Sequence, residues 1–116
     1  GGGEDYTLVN KLAASYANSS QSEQAIPHYA RALQLRPSFA RGWLNLGISF
    51  ANLEQHGEAA RAYAQALHLN PGAGHIWSYL RVVLGCMDRF DLVAMCSKED
   101  VSLLATALSL TLIDAD

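Results

Sequence analysis

The chain has 116 residues, of which 50% are hydrophobic and 16% charged, and its formal net charge is −3. The charged fraction is below the ~25% of typical soluble domains, but the hydrophobic content is sufficient for a core. The lysines and arginines form no run, so the sequence gives no electrostatic case for binding nucleic acid. The longest apolar stretch is residues 101–113, which is interrupted by polar residues and is shorter than the ~18 residues of a membrane span. We therefore expect no membrane span.

The distribution of reactive side chains argues against an enzyme or a metal protein. Cys86 and Cys96 fit neither a disulfide framework nor paired zinc ligands, so we expect buried thiols in a reducing compartment. The histidines share no ligand spacing, and no nucleophile–histidine–carboxylate set lies on one helix face. We expect no catalysis, no metal and no cofactor. Residues 1–5 are interpreted as a linker or cloning remnant, with no secretory signal.

An internal period of 34 residues organises the first two thirds of the chain. Pro37 and Pro71 are 34 residues apart, and the same offset aligns apolar, small and amide residues. The aligned pairs are Leu12 with Leu46, Ala13 with Gly47, Tyr16 with Phe50, Asn18 with Asn52, Ala25 with Ala59, Tyr29 with Tyr63, Ala32 with Ala66 and Leu35 with Leu69. So many matched positions indicate a structural repeat rather than a chance motif.

Each unit predicts two helices. Their ranges are 6–17 and 22–35 in the first unit, and 40–52 and 57–69 in the second. The second helix of each unit ends before a proline, because the residue that precedes proline is pushed out of the helical region. Pro27 lies inside such a helix, where proline costs ~3 kcal/mol. We expect this helix to start late, with Ser22 as its cap, rather than to kink.

The period fades after residue 74. Apolar spacing at Trp77, Leu80 and Leu84 predicts a third helix of the first type that begins near His75. A turn and a short helix are predicted over residues 88–97. The run Ser97-Lys98-Glu99-Asp100 resembles a capping box, which predicts a final helix over residues 98–112.

The alternation of small and large apolar residues, closed by a proline, resembles the tetratricopeptide repeat. This resemblance implies an all-α solenoid with repeats at residues 6–39 and 40–73, followed by a degenerate third unit and capping helices at residues 74–116. Such stacks usually need about three repeats. We therefore expect the C-terminal end of a longer solenoid, or else a fragment stabilised by its capping helices or by self-association.

The first helices of the two units carry a stripe of polar residues. Its members are Asn10 and Asn18 in the first unit, with the small residue Ala14 between them, and Arg41, Asn45 and Asn52 in the second. Lys11 and Ser49 flank the stripe. Asparagine is a poor helix former, so this many asparagines on two helices suggest a use. A carboxamide can pair with a peptide backbone whatever side chain that residue bears, and Arg41 offers a cation suited to a carboxylate such as a chain terminus. The stripe therefore favours peptide capture over an ordinary solvated face on which Asn18 and Asn52 simply end their helices.

Several stretches closely resemble the peroxisomal import receptor family, whose members recognise C-terminal targeting signals of the Ser-Lys-Leu type. They are NKLAASYANSSQSEQAI, RALQLRP, NLGISFANL, IWSYLR and SKEDVSLLATAL. The resemblance covers nearly the whole chain. It implies the last two tetratricopeptide repeats together with the C-terminal helical bundle.

What the resemblance implies is a receptor module that captures such signals on cytosolic cargo for import into peroxisomes, without catalysis. The implied peptide-binding residues are Asn10, Asn18, Arg41, Asn45 and Asn52, with Lys11 and Ala14 flanking the pocket for the terminal leucine. The implied partners are C-terminal peptides of peroxisomal matrix proteins and, in the full-length receptor, peroxisomal docking proteins. The implied location is the cytoplasm, with cycling to the peroxisomal membrane. The family's earlier repeats, which supply the other half of the groove, are absent from this sequence.

Two other interpretations remain open from the sequence. A co-chaperone module that grips acidic chaperone tails would normally need several cations in its groove, and only Arg41 and Lys11 are offered. A non-binding structural scaffold would leave the asparagines merely solvated.

Overall fold

The computed structural model describes residues 5–18 and 21–115, which form α-helices and one 3₁₀ turn. The helices are α1 (Tyr6–Asn18), α2 (Ser22–Leu35), α3 (Ala40–Asn52), α4 (His56–Leu69), α5 (Ile76–Cys86), α6 (Phe90–Met95) and α7 (Val101–Ala107), and the 3₁₀ turn is Cys96–Lys98. Each of the first five helices packs on the next in chain order, and α7 returns to pack on α4. This arrangement confirms the predicted all-α solenoid. The predicted linker, apart from Asp5, lies outside the described residues.

The turns between helices repeat with the sequence. Glu54 and Asp88, which are 34 residues apart, both adopt a left-handed backbone, with φ of 59° and 57°. The N–H of the following residue donates to a carbonyl five residues earlier, that of Phe50 at 2.9 Å and that of Leu84 at 3.0 Å. The turn that follows α3 therefore also follows α5, as the sequence pattern of α5 predicts.

Two hydrophobic clusters form the core. The first lies between α1, α2 and α3, and its buried members are Ala13, Ala25, Tyr29, Leu33 and Leu46. The second extends from α3 to α7 and is centred on the buried side chains of Tyr63, Leu67, Trp77, Leu80, Leu84 and Leu104. Trp43 and Phe50, both partly buried, pack against both clusters. Trp43 also donates a hydrogen bond from Nε1 to the carbonyl oxygen of Pro37 at 2.8 Å. These two aromatic residues connect the clusters.

The predicted start of α2 at Ser22 is confirmed, whereas the prediction that Ser22 caps the helix is wrong. The helix begins at Ser22, but the cap residue is Gln21, which makes no side-chain capping hydrogen bond. The hydroxyl of Ser22 instead accepts a hydrogen bond from Asn52 Nδ2 at 3.1 Å. Pro27 is inside the helix and is exposed. The tertiary contacts of α2 thus tolerate a proline that helix propensity alone disfavours.

The predicted final helix is too long at both ends. α7 begins at Val101, capped by Asp100, whose Oδ1 accepts from Leu103 N at 3.0 Å. The proposed capping box fails because Glu99 takes a left-handed φ of 51°, which no helix can include. At the other end, Ser109 also has a positive φ, of 54°, and residues 110–115 are not helical.

The prediction of two buried thiols is half correct. Cys96 is 1% exposed and belongs to the second cluster, whereas Cys86 is exposed near the end of α5. Burial raises the pKa of the Cys96 thiol, with a smaller opposing effect from the charge of Arg81. Cys96 is therefore neutral and behaves as a small hydrophobic side chain.

Candidate peptide-binding site

A cavity of about 320 Å³ lies where α1, α2 and α3 meet. It is lined by Asn10, Ala14, Ala17, Tyr29, Arg41, Asn45, Ile48 and Ser49. Spacings of three and four residues place each helix's contribution on one face, because a helix turns once in 3.6 residues. The small side chains of Ala14 and Ala17 leave the space that the polar groups border. The helical repeat thus builds a recess with amide, hydroxyl and guanidinium groups on its walls.

Two asparagines join α1 to α3 across the recess. Asn45 Nδ2 donates a hydrogen bond to Asn10 Oδ1 at 3.3 Å. Each carboxamide has two N–H donors and an oxygen with two lone pairs, so this bond uses only part of their capacity. The pair is therefore oriented by its own contact and can still bind a peptide group.

Arg41 supplies the charge of the recess. It is exposed and is the one charged residue among the eight described residues that line the cavity. Tyr29, on the opposite wall, is 2% exposed. Burial raises the pKa of the Tyr29 phenol, and the nearby Arg41 charge opposes this rise only partly. The phenol is thus neutral at neutral pH, and the recess attracts an anion.

Ser49 is the third polar group of α3 in the recess. Its side chain is fully buried, and its Oγ has no hydrogen-bond partner among the described residues. An unpaired buried polar group costs about 1–3 kcal/mol. The unpaired hydroxyl of Ser49, with its unfavourable free energy, therefore lies beside the cavity.

The structure brings together only part of the predicted set. Asn10, Arg41 and Asn45 line one cavity with Ala14, whereas Asn52 does not line it and is bonded to Ser22. Asn52 instead borders an adjoining cavity of about 250 Å³. The other described residues that line this second cavity are Ile48, Ala51, Tyr63 and Tyr79.

The remaining predicted residues are placed less favourably. Lys11 is exposed and is not among the described lining residues of either cavity. The side chain of Asn18 lies outside the described part of the structure. Of the two residues predicted to flank a leucine pocket, only Ala14 borders the recess.

Tyr29, Ala17 and Ile48 were missed by the sequence argument. Tyr29 had a usable signal, because the 34-residue offset aligns it with Tyr63, which borders the adjoining cavity. The sequence does not show that one edge of a packed ring also borders a cavity, since this depends on how the helices cross.

The described ranges offer neither a cluster of metal ligands nor a helix that could span a membrane. Residues 5–18 and 21–115 contain no group of three or more histidine, cysteine, aspartate or glutamate side chains that could hold a metal ion. The same residues contain no helix long and apolar enough to cross a bilayer.

Fold and site together define a helical-repeat interaction module. The chain belongs to the tetratricopeptide repeat family, because a model of that family matches residues 10–78, more than half of its length.

Curated receptors are also similar to part of the chain. The chain is 51% identical to the peroxisomal targeting signal receptor of Candida albicans over 45 residues. This match covers 39% of the chain and 8% of that protein. It is 54% identical over 44 residues to the receptor of the same name from Saccharomyces cerevisiae, and this match covers 38% of the chain and 7% of that protein. With the receptor of Kluyveromyces lactis the identity is 52% over 44 residues, and this match covers 38% of the chain and 8% of that protein. The chain thus resembles a tetratricopeptide region of these receptors and spans less than a tenth of their length.

Proposed function

We propose that this chain is the peptide-binding part of a receptor for C-terminal peroxisomal targeting signals of the Ser-Lys-Leu type. The observation that carries the proposal is the recess that joins Asn10 and Asn45 with Arg41. The names of the similar receptors support the same class of ligand. Under this proposal the chain is a non-catalytic module that meets its cargo in the cytoplasm and cycles to the peroxisomal membrane, where docking proteins bind the whole receptor.

The mechanism is reversible capture of a chain terminus. The two carboxamides pair with the peptide backbone, and the guanidinium of Arg41 binds the free carboxylate. Asn52, which borders the adjoining cavity, contacts the residues that precede the terminus, and Asn18 stays a predicted contact whose side chain lies outside the described part of the structure. Lys11 contacts the side chain of the peptide's terminal leucine from outside the recess, next to Ala14.

A groove for acidic chaperone tails is less well supported. Such a groove needs several cations, and Arg41 is the one cation among the described residues that line the recess. Competition by an aspartate- and glutamate-rich C-terminal peptide would favour that class instead.

The test compares two forms of one ligand. A fluorescent peptide that ends in Ser-Lys-Leu is titrated into the chain, once as the free acid and once as the C-terminal amide. We expect the acid to bind more tightly, since only the acid offers Arg41 a negative charge. Equal affinities would remove the carboxylate contact from the proposal.

The matched variants are Arg41→Ala and Arg81→Ala. A charge-assisted hydrogen bond contributes about 1.5–3 kcal/mol, so Arg41→Ala should weaken binding of the acid by roughly one to two orders of magnitude. Arg81 is exposed on α5 and is not among the residues that line the recess, so its replacement should change little. Similar losses in both variants would indicate a general charge effect and not a site.

A further inference from the structure

A second groove lies on the side of α3 opposite the asparagines. At about 100° per residue, Trp43 points roughly 160° away from both Arg41 and Asn45, and Leu46 lies roughly 140° from Arg41. With α2 on one side and α4 on the other, Trp43 and Leu46 form the floor of what we call the α2–α4 groove. It contains two cavities of about 330 Å³ each, and both are lined by Trp43, Leu46 and Ile113.

The occupant of this groove is the chain's own closing segment, residues 109–115. This segment is not helical. The side chain of Gln65, 2% exposed on α4, pairs with both backbone groups of Ile113. Gln65 Nε2 donates to the carbonyl oxygen of Ile113 at 2.8 Å, and the N–H of Ile113 donates to Gln65 Oε1 at 2.7 Å. The buried carboxamide of Gln65 is therefore hydrogen-bonded to both the N–H and the carbonyl oxygen of one residue of the segment.

Two further contacts fix the direction of the segment. Arg61 Nη2 donates to the carbonyl oxygen of Ser109 at 3.0 Å. His68 Nε2 lies 2.6 Å from Asp114 Oδ1. The groove thus offers a cation to a backbone carbonyl at one end and an imidazole to an acidic side chain at the other.

The closing segment fills this groove incompletely. Ile113 stands between the two cavities and is still 40% exposed. Thr111 lines one of the cavities with only a small side chain. A segment with larger apolar side chains at these positions would bury more apolar surface and would bind more tightly for that reason.

We propose that the α2–α4 groove is a second peptide-binding site, and that the closing segment is its intramolecular occupant. The ligand class is an extended peptide with an aliphatic residue followed by an acidic residue. The carboxamide of Gln65 binds the backbone, the floor of Trp43 and Leu46 takes the aliphatic side chain, and His68 takes the acid. A partner with this chemistry binds by displacing residues 109–115.

The experiment uses the full chain and an amidated, fluorescein-labelled peptide SLTLIDA, which copies residues 109–115. The amide removes the terminal carboxylate that the asparagine recess would bind, so the two sites are read separately. Ile113→Asp in the chain loosens the attached segment. We expect this variant to bind the labelled peptide at least tenfold more tightly than the unmodified chain does.

The position of the site is tested by Gln65→Ala and Gln65→Glu, each combined with Ile113→Asp. Both should abolish the gain, whereas Gln24→Ala, on the exposed surface of α2, should preserve it. Far-UV circular dichroism checks that each variant is folded.

Peptide variants test the ligand class without altering the protein. Replacing the aspartate of the labelled peptide by asparagine should weaken binding. Replacing its threonine by phenylalanine should strengthen binding, because the larger side chain fills the cavity that Thr111 lines. Binding no tighter than that of a scrambled peptide, or binding that is unchanged by the Gln65 substitutions, would overturn the proposal.

Discussion

At the scale of single residues, Gly47 sets how closely α3 approaches α4. A Cβ atom at this position would lie 2.6 Å from the ring carbons Cδ1 and Cε1 of Tyr63. Tyr63 is 3% exposed, so its ring is confined by its neighbours. The absence of a side chain at Gly47 is therefore a packing requirement of the repeat.

Gly47→Ala should lower the free energy of unfolding by about 1–3 kcal/mol, the usual cost of overpacking a filled core. Gly85→Ala is the matched control, because a Cβ there meets no atom within 4 Å. Alanine favours the helix by up to about 1 kcal/mol, so the control should be neutral or stabilised. Urea unfolding followed by circular dichroism measures both variants. An equal change in the free energy of unfolding of the two variants would contradict the close approach of position 47 to the ring of Tyr63.

Ionisation of Tyr63 is expected to lower the stability of the fold at alkaline pH. Burial raises the pKa of its phenol from the ordinary value of 10.0 to about 12, with a smaller contribution from Tyr79. In the unfolded chain the phenol ionises near pH 10, so the folded state binds the proton more tightly. The resulting stability is fully present below pH 10 and is lost as the pH rises from about 10 to about 12.

The expected loss over this range is about 2–3 kcal/mol, at 1.36 kcal/mol per pKa unit. It is measured as the free energy of unfolding in urea at a series of alkaline pH values. Tyr63→Phe should flatten the decline, since phenylalanine has no ionisable proton. An equally steep decline in the variant would assign the effect to other groups.

The sequence identified the polar residues of the recess better than its shape. Periodicity placed Arg41 and Asn45 on one face of the first helix of the second unit, and the same helical spacing singled out Asn10 in the first helix of the first unit. It could not separate Asn52, whose side chain bonds to Ser22, from the others. That bond depends on the distance between α2 and α3, which no single-helix pattern encodes.

At the scale of secondary-structure elements, α2 is the helix with an internal defect. Pro27 has no N–H to donate to the preceding turn, yet α2 continues to Leu35. Its buried residues Ala25, Tyr29 and Leu33 lie on the face that packs into the first cluster. Burial of this face offsets the missing hydrogen bond.

Pro27→Ala should therefore stabilise the chain, by up to about 3 kcal/mol if the helix carries the full cost of an interior proline. Pro71→Ala is the control, because Pro71 lies in the turn after α4 and its replacement restores no helical hydrogen bond. The control should be neutral or lose up to about 1 kcal/mol through a freer unfolded chain. Thermal unfolding compares the two. A lower melting temperature for Pro27→Ala would contradict this account.

Both ends of the first four helices and the start of α5 were predicted within one residue, because apolar period and proline position are local signals. The end of α7 was not. After it, the carbonyl oxygen of Ser109 accepts from Arg61, and both backbone groups of Ile113 pair with Gln65, in each case 48 positions earlier in the chain. A contact at that distance overrides local helix propensity. The division into units at residues 39 and 73 remains a prediction.

At the scale of the whole molecule, Trp43 and Phe50 determine whether the two clusters unfold together. Repeat proteins gain much of their stability from interfaces between neighbouring units. Both aromatic side chains pack against both clusters, so each belongs to that interface. The chain should therefore unfold in one transition.

Phe50→Ala should break this coupling and cost roughly 3 kcal/mol, the lower end for a large aromatic residue since Phe50 is only partly buried. Tryptophan fluorescence and far-UV circular dichroism should then report different midpoints in urea, whereas they coincide in the unmodified chain. Phe90→Ala is the control, because that side chain is 65% exposed. Coincident midpoints in Phe50→Ala would show that the clusters are joined elsewhere.

The pairing of Gln65 with Ile113 has a consequence for amide hydrogen exchange. Exchange with solvent depends on how often an N–H loses its buried acceptor, and not on whether the residue belongs to a helix. Ile113 is in no helix, yet its N–H donates to a carboxamide that is almost fully shielded. A stretch without regular structure thus holds a slowly exchanging proton, whose rate measures the fraction of molecules in which the segment has detached.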